Sequence, residues 1–171
     1  MDVSPLRSLI TAAMLLLVAA APAAAASKRD RVEASRHLWA TVNVCDTPAR
    51  DNVVGVRASM PGSGRRQTLS MRFTVQYFDE AEREWRTFEQ GADSGWVRLG
   101  KSRKRPLESG FSFEFEPPAS GTGSTLRGLV RFRWRSRGKT RVRLRKVTEA
   151  GHRSTVGADP PNFSAATCEL R

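Results

Sequence analysis

The chain has 171 residues, with 29 Lys and Arg against 17 Asp and Glu, a net charge of +12, two cysteines and two histidines. That length holds one domain around a single core rather than an array of domains. The histidines, His37 and His152, stand at no ligand spacing from a cysteine and argue against a metal site, whereas the charge turns attention to anionic partners.

In chain order, the first element is a leader. Arg7 precedes an apolar run from Leu9 to Ala21, and Ala24-Ala25-Ala26 before Ser27 has the small-residue pattern of a signal-peptide cleavage site. The run is too short for a comfortable membrane span, and no second long apolar segment follows, so no span is expected in the mature chain. Residues 1–26 are therefore assigned as a signal peptide, 27–37 as an N-terminal extension and 38–171 as the domain. The expected location is secreted, extracellular or associated with the cell envelope. Asp2 and Arg7 cancel within the leader, so the mature chain keeps the whole +12.

After the leader, helical periodicity is confined to Lys28–Arg36 and a turn at Asp79–Arg83. Alternation of apolar and polar residues, the signature of half-buried strands, dominates the rest. Strands are expected at Leu38–Cys45, Val53–Met60 and Gln67–Phe78, the last with Leu69, Met71, Phe73, Val75 and Tyr77 on one face. Shorter ones follow at Glu84–Phe88 and Trp96–Leu99. A basic loop, Lys101 to Arg105, closes at Pro106. Phe111, Phe113 and Phe115 alternate with Ser112, Glu114 and Glu116. Thr125–Ser136 and Thr140–Thr148 complete the set before a Pro-containing tail. This spacing of short strands and turn signals predicts an all-β fold, a single antiparallel β-sandwich, with a closed barrel as the alternative.

Cys45 and Cys168 lie near the two ends of the domain. In an exported chain an even pair is most simply a disulfide; two free thiols or an intermolecular bridge are the alternatives.

The run Phe111-Ser-Phe-Glu-Phe-Glu-Pro-Pro-Ala-Ser-Gly-Thr122, a long strand, Arg137-Gly138-Lys139 and a final strand resemble the last three strands of immunoglobulin-like or fibronectin type III-like domains. The chain departs from true immunoglobulin domains in placing its cysteines at the ends and in lacking a tyrosine corner. The segments Ala40–Pro48 and Val54–Gly62 are also similar to uncharacterised exported proteins of actinobacteria. The resemblance implies an immunoglobulin-like sandwich and export, and carries no functional residue.

The sharpest functional signal lies in Thr125–Thr148. Its inward face is apolar. Its outward face carries Arg127, Arg131, Arg133 and Arg135, then Arg141, Arg143 and Arg145 on the return strand. Ten basic residues and no acid stand between Arg127 and Lys146. Pairing Trp134 with Val142 and Phe132 with Leu144 places Arg131 opposite Arg145, Arg133 opposite Arg143 and Arg135 opposite Arg141. The turn is then a three-residue Arg137-Gly138-Lys139. Like charges opposite one another destabilise a hairpin, and an anionic partner would offset that cost. Alternatively, Glu84, Glu114 or Glu116 on neighbouring strands interleaves with the arginines, or their stems cover the sheet with the charges in water. The 24 arginines against 5 lysines equally fit GC-rich coding. Trp39, Trp85 and Trp96 are expected at the core or sheet edges, and no aromatic is expected on the arginine face.

Catalysis is not expected. There is no G-x-S-x-G nucleophile elbow, no phosphate-binding glycine loop and no clustered acids for calcium. No cofactor is implied. The sequence reading is a binding module for an anionic polymer of the envelope or an extracellular polyanion, or else a protein-interaction or structural domain of the envelope.

Overall fold

The computed structural model describes residues 26–117, 122–153 and 155–171. The signal-peptide assignment falls, Ala26 apart, outside the described residues. A short helix, α1 (Lys28–Glu33), opens the described chain. The Ser27 hydroxyl accepts from the Asp30 amide while the Asp30 carboxylate accepts from the Ser27 amide, a reciprocal cap. α1 buries Val32 in the core.

Nine strands follow: β1 (Trp39–Thr47), β2 (Arg50–Met60), β3 (Gln67–Asp79), β4 (Glu84–Thr87), β5 (Val97–Ser102), β6 (Leu107–Glu114), β7 (Ser124–Ser136), β8 (Lys139–Val147) and β9 (Thr167–Leu170). They make two antiparallel sheets. The smaller runs β1-β2-β6. The larger runs β4-β3-β7-β8, with β5 added to β3 and β9 to β7. The chain crosses between sheets after β2, β5 and β6. None of these nine strands pairs across the two sheets, so the architecture is the sandwich and not the barrel.

The alternating residues of the two inner faces form the core. Val42, Val54 and Val56 of the smaller sheet and Phe73, Val130, Phe132 and Trp134 of the larger are all fully buried. Burying a large apolar side chain contributes roughly 1.5–3 kcal/mol, so this layer is the main source of cohesion. The sheets meet closely at Gly128: a Cβ there would lie 2.6 Å from Thr148 Cγ2 and 2.9 Å from Val56 Cγ1. The buried Trp134 indole donates to the Pro61 carbonyl at 2.8 Å, which satisfies its one polar atom.

The disulfide Cys45–Cys168 is formed, across 123 residues of chain. It joins β1 of the smaller sheet to β9 of the larger. The tail after β8 covers the outer edge of β1: Val42 and Ala165 exchange backbone hydrogen bonds, and the Asp159 amide donates to the Asn43 carbonyl. An edge covered in this way cannot template pairing with another chain. Among the described residues no helix is long and apolar enough to cross a membrane.

The same tail carries His152, whose ring stacks on Trp39 with centroids 4.6 Å apart. Burial lowers its pKa from the ordinary value of 6.5, against a smaller opposing pull from Glu149. The imidazole is neutral above pH 6.5 in folded and unfolded chains alike. As pH falls below that value the unfolded chain takes the proton first, so stability declines down to the folded pKa. Thermal unfolding between about pH 7.5 and 5 should therefore show a midpoint loss on acidification that shrinks in His152→Phe, which keeps a ring on Trp39. Equal slopes would show that the imidazole contributes nothing to the acid response.

Candidate anion-binding face

β7 places residues of one parity in the core, so Arg127, Arg131, Arg133 and Arg135 fall on the outer face of the larger sheet. The register with β8 pairs Phe132 with Leu144 and Trp134 with Val142, and sets Arg131 opposite Arg145 and Arg133 opposite Arg143. The third expected pair does not form. Arg135 faces Thr140 and Ser136 faces Lys139, with a register shift after Trp134. The turn is the two-residue Arg137-Gly138, both with positive φ, 50° and 72°, as a twist-matched hairpin turn requires. Arg141 is the extra residue of the resulting bulge. A two-residue turn and in-phase inner faces are thus both satisfied, at the expense of the Arg135–Arg141 pair.

The ladder continues across β3 and β5. Arg135 faces Thr68, Arg133 faces Ser70, Arg131 faces Arg72 and Arg127 faces Gln76. Ser70 in turn faces Arg98, and Thr68 faces Lys101. Arg98, Ser70, Arg133 and Arg143 therefore form one transverse row, and Arg72, Arg131 and Arg145 the next. The acids proposed to interleave are elsewhere. Glu114 ends β6 in the other sheet, opposite Val53, Glu116 lies just beyond it, and Glu84 on β4 pairs with Arg86 at 2.9 Å.

Among the described residues, none of the seven ladder arginines makes an ion pair. Their hydrogen bonds go to neutral groups. Arg127 Nε donates to Gln76 Oε1 at 3.0 Å, Arg131 Nη1 to Thr74 Oγ1 at 3.2 Å and Arg135 Nη2 to the Gly138 carbonyl at 2.8 Å. Arg133 Nε is buried without a partner. Burial, then the guanidiniums of Arg135 and Arg143, pull Arg133 below its ordinary pKa; burial does the same to Arg127. Both remain cations, because a guanidinium is not deprotonated in a protein.

Two acids border this face among the described residues: Glu149 lines a groove with Arg127 and Arg145 without an ion pair to either, and Asp93 is committed to Arg72. Arg72 Nε donates to both its oxygens, at 2.8 and 2.9 Å. That hydrogen bonding is the largest of the effects holding the Asp93 carboxyl below the usual range. The pair pins the segment before β5 along β3, where Val75 donates to the Ala92 carbonyl and Ser94 to the Phe73 carbonyl, both at 3.0 Å.

This pinned segment delivers Trp96 onto the arginine face, contrary to the expectation that no aromatic lies there. Arg133 Cζ sits 3.9 Å from the centre of its ring. Trp85 on β4 stands on the same outer side, with Arg127 Cζ 4.2 Å from its ring centre. Each contact is of cation–π type. Sequence reasoning also missed Arg66, Arg98 and Lys101, which line a groove of about 440 Å³ beside Trp96. A second groove, of about 490 Å³, lies on its other side between Arg29 and the Arg131, Arg143 and Arg145 side chains. Trp96 and Arg133 line both, and no acid lines either.

α1 adds charge at the hairpin edge. Arg29 Nη1 donates to the Arg143 carbonyl at 3.2 Å. Lys28 is lowered in pKa, by burial and then by Arg65, Arg141 and Arg31. The face as built can clamp oxyanions in planar guanidinium forks. No family model and no curated protein matches the sequence.

Proposed function

We propose that this is an exported, non-enzymatic binding module that holds an anionic polymer, of the cell envelope or of the extracellular space, across the outer face of its larger sheet. The observation that carries the reading is the two facing arginine pairs, Arg131 with Arg145 and Arg133 with Arg143, none of whose members makes an ion pair among the described residues. Directly opposed like charges destabilise a sheet. A polymer bearing phosphate, sulfate or carboxylate groups offsets the cost through bidentate, charge-assisted hydrogen bonds. The leader pattern in the sequence and the disulfide support export.

The test is elution from heparin-agarose or immobilised polyphosphate in a salt gradient. The variant with Arg131, Arg133, Arg143 and Arg145 all changed to Gln should elute early. A control that changes the exposed Arg36, Arg50, Arg153 and Arg171 to Gln has the same net charge and should elute near wild type. In solution the four-arginine variant should lose about 3 units of slope in log K against log salt. Equal elution of the two variants would reject a localised site.

A second reading, recognition of a protein by strand addition, is favoured by one observation. β6 is the outer strand of the smaller sheet, and Phe111 on it is 40% exposed. Capture of a partner that survives high salt and is lost in Phe111→Ser would select it.

A further inference from the structure

The arginine face, on whose reading as an anion site this inference rests, carries tryptophan where charge recognition alone needs none. Trp96 is 37% exposed and stands between two basic grooves with Arg133 against its ring, 3.9 Å from the centre. Its position is fixed by several contacts. Asp93 accepts from Arg72 and from the Gly95 amide, the latter at 2.8 Å, and the Ser94 hydroxyl accepts from the Phe73 amide at 2.9 Å. Further along the same face, Trp85 packs on Phe78 with ring centres 5.3 Å apart and receives Arg127. The two Arg–Trp contacts belong to residues six positions apart on β7, so they are spaced by about 20 Å along the strand. Between them lie Arg131 and Arg145.

An exposed indole held rigidly among cations suits a ligand that brings a flat ring with each negative charge. Inorganic polyphosphate brings charge without rings. A nucleic-acid duplex keeps its bases stacked inside, out of reach of an indole on a sheet surface. A single strand presents both groups, phosphates to the guanidiniums and an unstacked base to the ring, the combination that sequence-tolerant single-strand binders use. We infer that the arginine face is a platform for single-stranded nucleic acid, with Trp96 stacking a base between phosphates held by Arg98 and Arg133 on one row and Arg131 and Arg145 on the next.

The experiment is fluorescence anisotropy of a labelled oligo-dT of about 20 nucleotides, longer than the site of a single small binding domain. Duplex DNA of the same length, heparin and inorganic polyphosphate serve as competitors. Trp96→Leu should weaken oligo-dT binding by about fivefold or more, the low end of what one lost stack costs, and lower the directly measured affinity for polyphosphate by a smaller factor. Trp96→Tyr, which keeps an aromatic face, should retain most of the affinity and so separates lost stacking from lost folding. Unchanged oligo-dT affinity in Trp96→Leu would overturn the inference. Duplex competing as well as single strand would overturn it too, as would an equal loss for heparin, the mark of ring stacking on sugars. In each case polyanion binding itself stands. Failure of all these probes to bind wild type would instead reject the anion site, and this inference with it.

Discussion

Changing Cys45 and Cys168 to alanine should lower the unfolding free energy by about 2–5 kcal/mol, the range for removal of a native disulfide. The upper half of that range is expected here. The bridge spans 123 residues, and in the chain-entropy account a loop of that length is worth roughly 5 kcal/mol. Its placement adds a local consequence. β9 has only four residues and is held by pairing with the Ser124–Arg127 end of β7. Without the disulfide, β9 should fray first and loosen the tail that covers the edge of β1. Urea unfolding of the variant should show a lower midpoint, and amide exchange should be fastest to rise in Thr167–Leu170 and at Val42. An unchanged midpoint would mean that the two sheets hold together by packing alone. Apart from Arg127, which faces Thr167 of β9, the arginine face lies on parts of β3, β5, β7 and β8 that do not pair with β9. Below the midpoint the variant should therefore keep its retention on a polyanion column, so stability and binding can be measured apart.

The sequence reading succeeded where period alone decides. In β3 the residues Leu69, Met71, Phe73 and Val75 alternate cleanly and all four are fully buried. One inner face admits one phase, so strand, orientation and partners in the core follow together. The same logic placed Phe132 against Leu144, and with them two of the arginine pairs. It failed at the turn. Arg137 adopts positive φ, which nothing in an arginine side chain signals, and the bulge at Arg141 restores the phase that a two-residue turn would otherwise break. The location of Trp96 was beyond reach for a different reason. It depends on Asp93 clamping Arg72 across 21 residues, a tertiary contact with no trace in local periodicity. The acids misled through topology. Glu114 alternates as an outward residue of its strand, but the crossover after β5 puts that strand in the opposite sheet. Which sheet a strand joins is set by its pairing partners rather than by its own pattern.

Reversing two charges separates a structural ladder from a functional one. In Arg143→Glu combined with Arg145→Glu, two like-charge pairs become opposite-charge pairs: the new carboxylates face Arg133 and Arg131 in the register of the hairpin. Opposed ion pairs on a sheet contribute about 0.2–1 kcal/mol each, so the variant should unfold at a temperature equal to or above that of wild type. Arg143 and Arg145 are exposed, and neither makes an ion pair that would be lost. Binding should move the opposite way. Two phosphate contacts disappear, each worth about 0.7 in the salt slope for a single strand, and two carboxylates then repel the polymer from the centre of the face. Late elution from heparin-agarose should become early elution while stability holds or rises. That combination is the behaviour of a site that keeps unfavourable charge for the sake of a ligand, as functional sites do when a stabilising substitution costs activity. A lower unfolding temperature with unchanged retention would show the reverse: the arginine stems would be covering the sheet as packing, and the charges at their ends would be incidental.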